Sequence, residues 1–256
     1  MLDALAPGHL GAEDQTLHAG FQLHERAIVR DADHIAAHAR PDGVAVVETP
    51  YVVRFVNDRE FDTTYHEHVF YYSLTAVASL VERHGLTVTD VEQTPLHGGS
   101  LRLFIQHATH PSSERVEKHL KSEQEHGVTG DAYYSDFAKR VEELKTEVTD
   151  LIHGLRADGA TVAAYGAAAK GTVLLNHFGL DHTMIDFVVD RSVHKQGLVM
   201  PGVGIPILAA EELERRRPDY TLLLAWNFAD EILEQQQGYR AAGGTFIVPV
   251  PAISLR

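Results

Sequence analysis

The chain has 256 residues, a formal net charge of −14 and no cysteine. Its length can bury one large core or two modest ones, and the missing thiols exclude disulfides, thiolate zinc sites and a cysteine nucleophile. The negative charge argues against nucleic acid or an anionic membrane as partner, since phosphate binding relies on a basic surface; one local site for a phosphorylated small molecule remains compatible with it.

Hydrophobic content of 44% and charged content of 23% are those of an ordinary globular protein. No apolar run approaches the ~20 residues that span a bilayer. Residues 1–10 lack the basic flank and apolar stretch of a signal peptide, so a cytoplasmic protein is expected.

Residues 1–42 read as a weakly organised leader. Gly8, Gly11 and Gly20 interrupt any period, and one helix is expected at 31–39, stopped by Pro41-Asp42-Gly43. Val44-Ala45-Val46-Val47-Glu48, closed by Thr49-Pro50, reads as a buried strand. A short helix to Asn57 follows. Ser73 is placed to cap a helix over 74–84, with Leu74, Val77, Leu80 and Val81 on one face and Gly85 as its stop. Residues 86–91 alternate as a strand, and 101–105 form another after the turn His97-Gly98-Gly99-Ser100.

Residues 111–157 are rich in Glu, Lys and Arg. Phe137, Val141, Leu144, Val148, Leu151, Ile152 and Leu155 stand at helical spacing, which predicts one long amphipathic helix or two at a domain boundary. The last hundred residues alternate. Strands are expected at 161–165, at 184–189 ending on Asp190, and at 205–208, 221–225 and 245–250. Helices are expected from near Lys170, from Ala210 and over 230–242. This βαβ rhythm predicts a parallel sheet with helices on both faces. There is no internal repeat and no low-complexity tract.

Three segments carry chemistry. The first, Tyr65-His66-Glu67-His68, sits between helices. His66 and His68 could share a metal if locally extended, because alternate residues then point the same way, but no third or fourth ligand stands nearby. The group could equally cap a loop under an aromatic cluster. Alternatively it is a proton-transfer site: a histidine beside a carboxylate and a phenol can move a proton next to a carbonyl, with Glu67 orienting the imidazole and Tyr65 stabilising an enolate oxygen.

The second segment is His97-Gly98-Gly99-Ser100, whose glycines let backbone approach a ligand and whose Ser100 can donate to it; a plain turn is the alternative. The third, Tyr165-Gly166-Ala167-Ala168-Ala169-Lys170-Gly171-Thr172, joins strand to helix. There N–H groups, the helix dipole and Lys170 favour an anion. Its small residues could instead serve packing alone. Asp190, at the next strand end, occupies the place of a ribose-binding acid.

In this order the segments resemble the bacterial sugar C-methyltransferases that act on nucleotide-linked 4-keto-6-deoxysugars. The resemblance spans residues 33–253 and rests on Tyr65-His66-Glu67-His68, His97-Gly98-Gly99-Ser100-Leu101-Arg102 and Tyr165-Gly166-Ala167-Ala168-Ala169-Lys170-Gly171 with Leu174-Leu175-Asn176. It continues through Val189-Asp190-Arg191-Ser192, Lys195-Gln196-Gly197, Pro201-Gly202, Ile205-Pro206-Ile207, Trp226-Asn227, Asp230-Glu231-Ile232 and the run from Gly243 to Pro251.

The resemblance implies deprotonation of the carbon next to the ketone, after which the enolate attacks the methyl group of S-adenosylmethionine. His68 is then the general base, Glu67 assists it, and Tyr65 or His66 binds the sugar or its oxyanion. His97, Gly98, Gly99, Ser100, Tyr165, Lys170, Asn176, Asp190 and Lys195 become the substrate-binding set, with no metal. The family's cysteine-rich zinc module and its Gly-rich first strand–loop–helix have no counterpart here, so most of the cofactor-binding motif is missing and a truncated member is implied.

The expected fold is α/β. It comprises a leader with one helix (1–42), part of a class I methyltransferase sheet with the proton-transfer loop (43–110), a helical connector (111–157) and a Rossmann-like C-terminal domain (158–256). The implied partners are a nucleotide-linked sugar and either a separate N-terminal chain or a second copy. Two other functions compete: a non-catalytic nucleotide-sugar-binding module, and an NAD-dependent enzyme built on the C-terminal half, weakened by the absence of GxGxxG.

Overall fold

Alternating apolar positions before residue 110 make a sheet with one buried face. The computed structural model describes residues 32–33, 35–37, 39–95 and 98–256, so the leader over 1–30 and His97 lie outside the described residues. Strands β1 (Ala45–Pro50), β2 (Leu86–Thr94) and β3 (Ser100–His107) lie in the order β1-β3-β2, antiparallel at both pairings. Val47 pairs with Leu103 and Thr49 with Leu101 on the buried face. On β2 the register shifts between Val88 and Asp90, an extra residue that exchanges the two faces and keeps both Val88 and Val91 buried.

After β1 comes the short helix α1 (Val52–Asn57), and before β2 comes α2 (Leu74–Glu82). As expected, Ser73 caps α2, its Oγ accepting from the Ala76 N–H at 3.0 Å. A further cap arrives from α3 (Glu114–His126): the buried Glu123 carboxylate accepts from the backbone N–H groups of Leu74 (2.7 Å) and Thr75 (2.8 Å). A carboxylate there satisfies orphan donors and meets the positive end of the helix dipole. Helices α2 and α3 cover the sheet through Leu74, Val77, Val81 and Val116.

The opposite sheet face carries Val46, Phe104 and the row Glu48–Arg102–Glu92, in which Arg102 reaches Glu48 at 3.1 Å and Glu92 at 3.6 Å. Val44 and Val46 are 51% and 40% exposed. The expectation of a strand buried throughout is therefore corrected. Among the described residues β1 is an edge strand with helices on one side, so only its alternate residues are enclosed.

The 111–157 stretch divides into α3, a single turn α4 (Asp131–Tyr134) and α5 (Phe137–Ala157). Gly127, at φ 70°, ends α3 in the left-handed conformation. Val116 of α3 belongs to the first core. Val141, Leu144, Val148 and Ile152 of α5 belong to a second.

That second core surrounds a six-stranded sheet in the order β6-β5-β4-β7-β8-β9. Strands β4 (Val162–Tyr165), β5 (Val188–Asp190), β6 (Ile207–Ala209), β7 (Tyr220–Leu223) and β8 (Thr245–Val248) are parallel, and β9 (Ser254–Leu255) joins antiparallel. All four residues of β4 are buried, so both of its faces are covered. The helices are α6 (Ala169–Phe178), α7 (Glu212–Arg216), α8 (Ala229–Gln235) and α9 (Gln237–Ala241).

Three details differ from expectation. The strand expected at 184–189 is confined to its end, because the N–H groups of Met184 and Ile185 turn back to the Asp181 carbonyl. The helix expected over 230–242 breaks at Gln236. Strand β9 is too short to show a period. Among the described residues no helix is long and apolar enough to cross a membrane.

Candidate active site

Leaving β1, the chain runs along α1 into the junction between the two cores. The end of α1 is held from the helical region: the Arg140 guanidinium donates to the Val56 carbonyl (2.8 Å) and the Tyr133 hydroxyl to Asn57 (3.0 Å). Phe55 packs against Phe137 and Tyr71, with ring centroids 4.8 and 4.2 Å apart. Arg59, at φ 58°, then donates to the Pro251 carbonyl (2.9 Å) at the far end of the chain.

Next, Glu60, Asp62 and Thr63 are all buried around the single 3-10 turn Phe61–Thr63. Phe61 stacks on Phe178 of α6 at 5.3 Å. Asp62 is fully enclosed, and its Oδ2 accepts from the Trp226 indole N–H at 2.8 Å. From the first turn of α6, Lys170 lays its amine over the same indole, 3.9 Å from the centroid, and donates to the Asn227 side-chain carbonyl. The two sheets therefore meet through an acid, an indole and an amine.

Burial governs the protonation of this cluster. It pushes Glu60 up to about 8, helped by the neighbouring charge of Asp58. It lifts Asp62 to about 6 against the pull of Lys170 and the Trp226 hydrogen bond. It lowers Lys170 to about 8, with Asp62 and Glu60 opposing. At neutral pH Glu60 keeps its proton while Asp62 and Lys170 are charged, so one buried anion faces one buried cation.

The histidine loop hangs from this turn. The Thr63 hydroxyl donates to the Glu60 carbonyl (2.7 Å) and lies 2.7 Å from the Tyr71 hydroxyl, so both ends of the 64–70 segment are tied together. Inside it the His68 N–H returns to the Tyr65 carbonyl at 2.9 Å, making a turn. The Tyr65 hydroxyl lies 3.3 Å from His68 Nε2, with the rings 4.5 Å apart. His66 and Glu67 point outward, 83% and 64% exposed and 3.9 Å from each other.

Two features of this loop bear on the readings left open by the sequence. The extended geometry that would let His66 and His68 share a metal is replaced by a turn, and among the described residues no group of three or more His, Cys, Asp or Glu side chains is placed to hold a metal ion. Tyr65 packs beside His68, and Glu67 lies 3.9 Å from His66.

The Gly98-Gly99 pair explains itself locally. At Gly98 (φ 99°) a Cβ would stand 2.5 Å from Glu60 Oε1, and at Gly99 (φ 154°) 2.7 Å from Arg54 Cγ. The glycines admit the protein's own side chains. Beside them an open hollow of 320 Å³ is lined by Arg54, Gln93, Thr94, Gly98, Gly99 and Ser100.

The 165–171 turn is also engaged internally. A Cβ on Gly166 would lie 2.9 Å from Ala225 Cβ, and one on Gly171 2.9 Å from Leu224 Cβ, so the ends of β4 and β7 are in contact. Tyr165 is buried with its ring edge-on to Phe246. Asp190 accepts from the N–H groups of Ala167 and Ser192, both at 2.7 Å. Lys195 donates to the Ala167 carbonyl at 2.8 Å. Asn176 sits about 9 Å further along α6 from Lys170 and donates to the Pro201 carbonyl at 2.9 Å, tethering a separate loop.

Thus Lys170 joins the Phe61–Thr63 turn from which the histidine loop hangs, Asp190 and Lys195 brace the 165–171 turn, and Asn176 stands apart. The acids Glu60 and Asp62, and Trp226 with Asn227, were not foreseen as site residues. The one available signal was Trp226, the single tryptophan of the chain.

Residues 95–251 match the family of the C-methyltransferase C-terminal domain. The chain belongs to the C-methyltransferase C-terminal domain family. It is 42% identical over 219 residues to the C-methyltransferase NovU of Streptomyces niveus, a match covering 85% of this chain and 52% of that protein. The chain thus spans about half the length of this curated relative. The family match takes in β3, α3 to α5 and the second sheet from β4 to β8, with the histidine loop lying upstream of it and β9 beyond its end.

Proposed function

We propose that the chain forms the substrate-activating part of a C-methyltransferase that methylates a nucleotide-linked keto-deoxysugar next to its ketone, with S-adenosylmethionine as the methyl donor. One observation carries this reading in a C-methyltransferase: His68 is held by ring packing and a hydrogen bond to Tyr65 on a loop tied at both ends. His68 takes the proton from the carbon beside the ketone, leaving an enolate. Tyr65 fixes the imidazole and, with the outward-facing His66, is available to the sugar or its oxyanion. A placed base contributes about 10²- to 10⁴-fold, so orientation and oxyanion stabilisation supply the remainder. The hollow beside Gly98, with Arg54 and Ser100, is a subsite for the polar part of the nucleotide sugar.

The described residues do not form a cradle for the methyl donor. The first sheet has no parallel strand–glycine loop–helix unit among them, and the 165–171 turn is closed against Ala225 and Leu224. S-adenosylmethionine supplies an electrophilic methyl group wherever it is bound, and no step of it is assigned to these residues. Among the described residues, the open edge of β1 and the uncovered face bearing Val46 fit a partial methyltransferase sheet completed by further chain, by a separate N-terminal chain or by a second copy.

Two measurements test the proposal. In calorimetric titration the chain is expected to bind a dTDP-linked 4-keto-6-deoxysugar; failure to bind would contradict it. In D₂O the chain is expected to exchange the C–H beside the ketone for deuterium, followed by proton NMR without any methyl donor.

A further inference from the structure

In open parallel sheets ligands enter outside the carboxyl ends of the strands, where the strand order reverses. Here that point lies between β4 and β7. The strand ends touch through Gly166 and Ala225, and the space beyond them holds Lys170, Trp226, Asn227 and the Asp62 carboxylate delivered by the Phe61–Thr63 turn. From Asp62 the connection runs to the next residue, Thr63, then to the Tyr71 hydroxyl, whose ring stands edge-on to His68 at 6.1 Å.

Resting on the reading of His68 as the base, we propose that Asp62 is a positioning residue: by accepting from Trp226 beside Lys170, it locks the histidine loop onto the strand ends of the second sheet and so sets the geometry of His68. Asp62 does not touch the sugar. The charges that act on it are Lys170 from α6 and, two residues back, the buried Glu60. Its other oxygen, Oδ1, is buried without a hydrogen-bond partner among the described residues. A buried acid satisfied at only one oxygen is a poor device for stability alone, since well-packed apolar side chains do that work without the desolvation cost. Its value lies in direction: it fixes where the turn sits.

The test compares Asp62→Leu, which removes the acceptor and keeps the branched skeleton with two bulkier methyl groups, with Asp62→Asn, which keeps an oxygen for the indole. Trp226→Phe removes the donor and keeps a ring under Lys170. A displacement of about 1 Å costs on the order of 10²-fold, so Asp62→Leu and Trp226→Phe should slow deuterium exchange ~10- to 100-fold while leaving the substrate KM nearly unchanged. Each should also move the His68 ring resonances, assigned with the His68→Gln variant. Asp62→Asn should restore most of the rate. Fluorescence of the single tryptophan confirms that each Asp62 substitution has altered the junction.

Folded Asp62→Leu with wild-type exchange and unmoved His68 resonances would overturn the proposal. If Asp62→Leu does not fold, Trp226→Phe decides on the same readouts. If the wild-type chain exchanges no deuterium, the reading of His68 as base fails. The His68 resonances would still show whether Asp62 sets the loop's geometry.

Discussion

Strands β1 and β7 are both short apolar runs, yet neighbouring positions mean different things in them. In β1, Val47 is 1% exposed and Val46 40%; in β7, Leu222 and Leu223 are both fully buried. The second sheet is covered on both faces, whereas among the described residues the first rests on α2 and α3 and leaves an edge and a face open. A self-contained sheet can serve as an anchor. The histidine loop leaves the half-covered sheet and fastens to the covered one through Asp62, Trp226 and Lys170.

The largest effects sharpen that contrast. Leu222→Ala and Leu223→Ala should each cost about 2–5 kcal/mol in urea unfolding. Val47→Ala should cost about 1.5 kcal/mol for its two methyl-sized groups, and the exposed Val46→Ala at most about 0.5 kcal/mol. Equal costs at Val46 and Val47 would mean that the open face is covered in solution.

Next comes the junction. Glu60 is raised from 4.5 to about 8, so the folded state holds its proton more tightly than the unfolded chain does. Its contribution is fully present below pH 4.5 and is lost as pH rises through 8. Glu60→Gln should therefore match wild type near pH 4 and exceed it at pH 8 by on the order of a few kcal/mol. A difference independent of pH would show that Glu60 is not titrating in that window.

Smaller again, Gly98→Ala should lose about 1–3 kcal/mol, because φ 99° strains any side chain and the new methyl meets the Glu60 carboxylate. Wild-type stability there would contradict the contact.

Much of the fold could be read from the chain because periodicity reports burial. The alternation of strand and helix after residue 158 marks the second sheet, and Ser73 marks a helix start through local capping chemistry. The half-burial of β1 is not legible in the sequence, because its β-branched run looks alike in a core strand and in an edge strand. Of the candidate site, the Tyr65–His68 group stood out by composition. Asp62 and Glu60 did not, because an acid enclosed by tertiary contacts looks like any surface acid until its indole and amine partners, 164 and 108 residues away, are brought to it. The glycines at 98 and 99 had a visible need for small size, but its cause, Glu60 and Arg54, is likewise long-range.

The most direct test of the account is solvent deuterium exchange into a dTDP-linked 4-keto-6-deoxysugar, comparing the wild-type chain with His68→Ala. The account predicts exchange next to the ketone by the wild type, a fall of about 10²- to 10⁴-fold in His68→Ala, and unchanged nucleotide-sugar binding. Exchange retained in His68→Ala would remove His68 as the base.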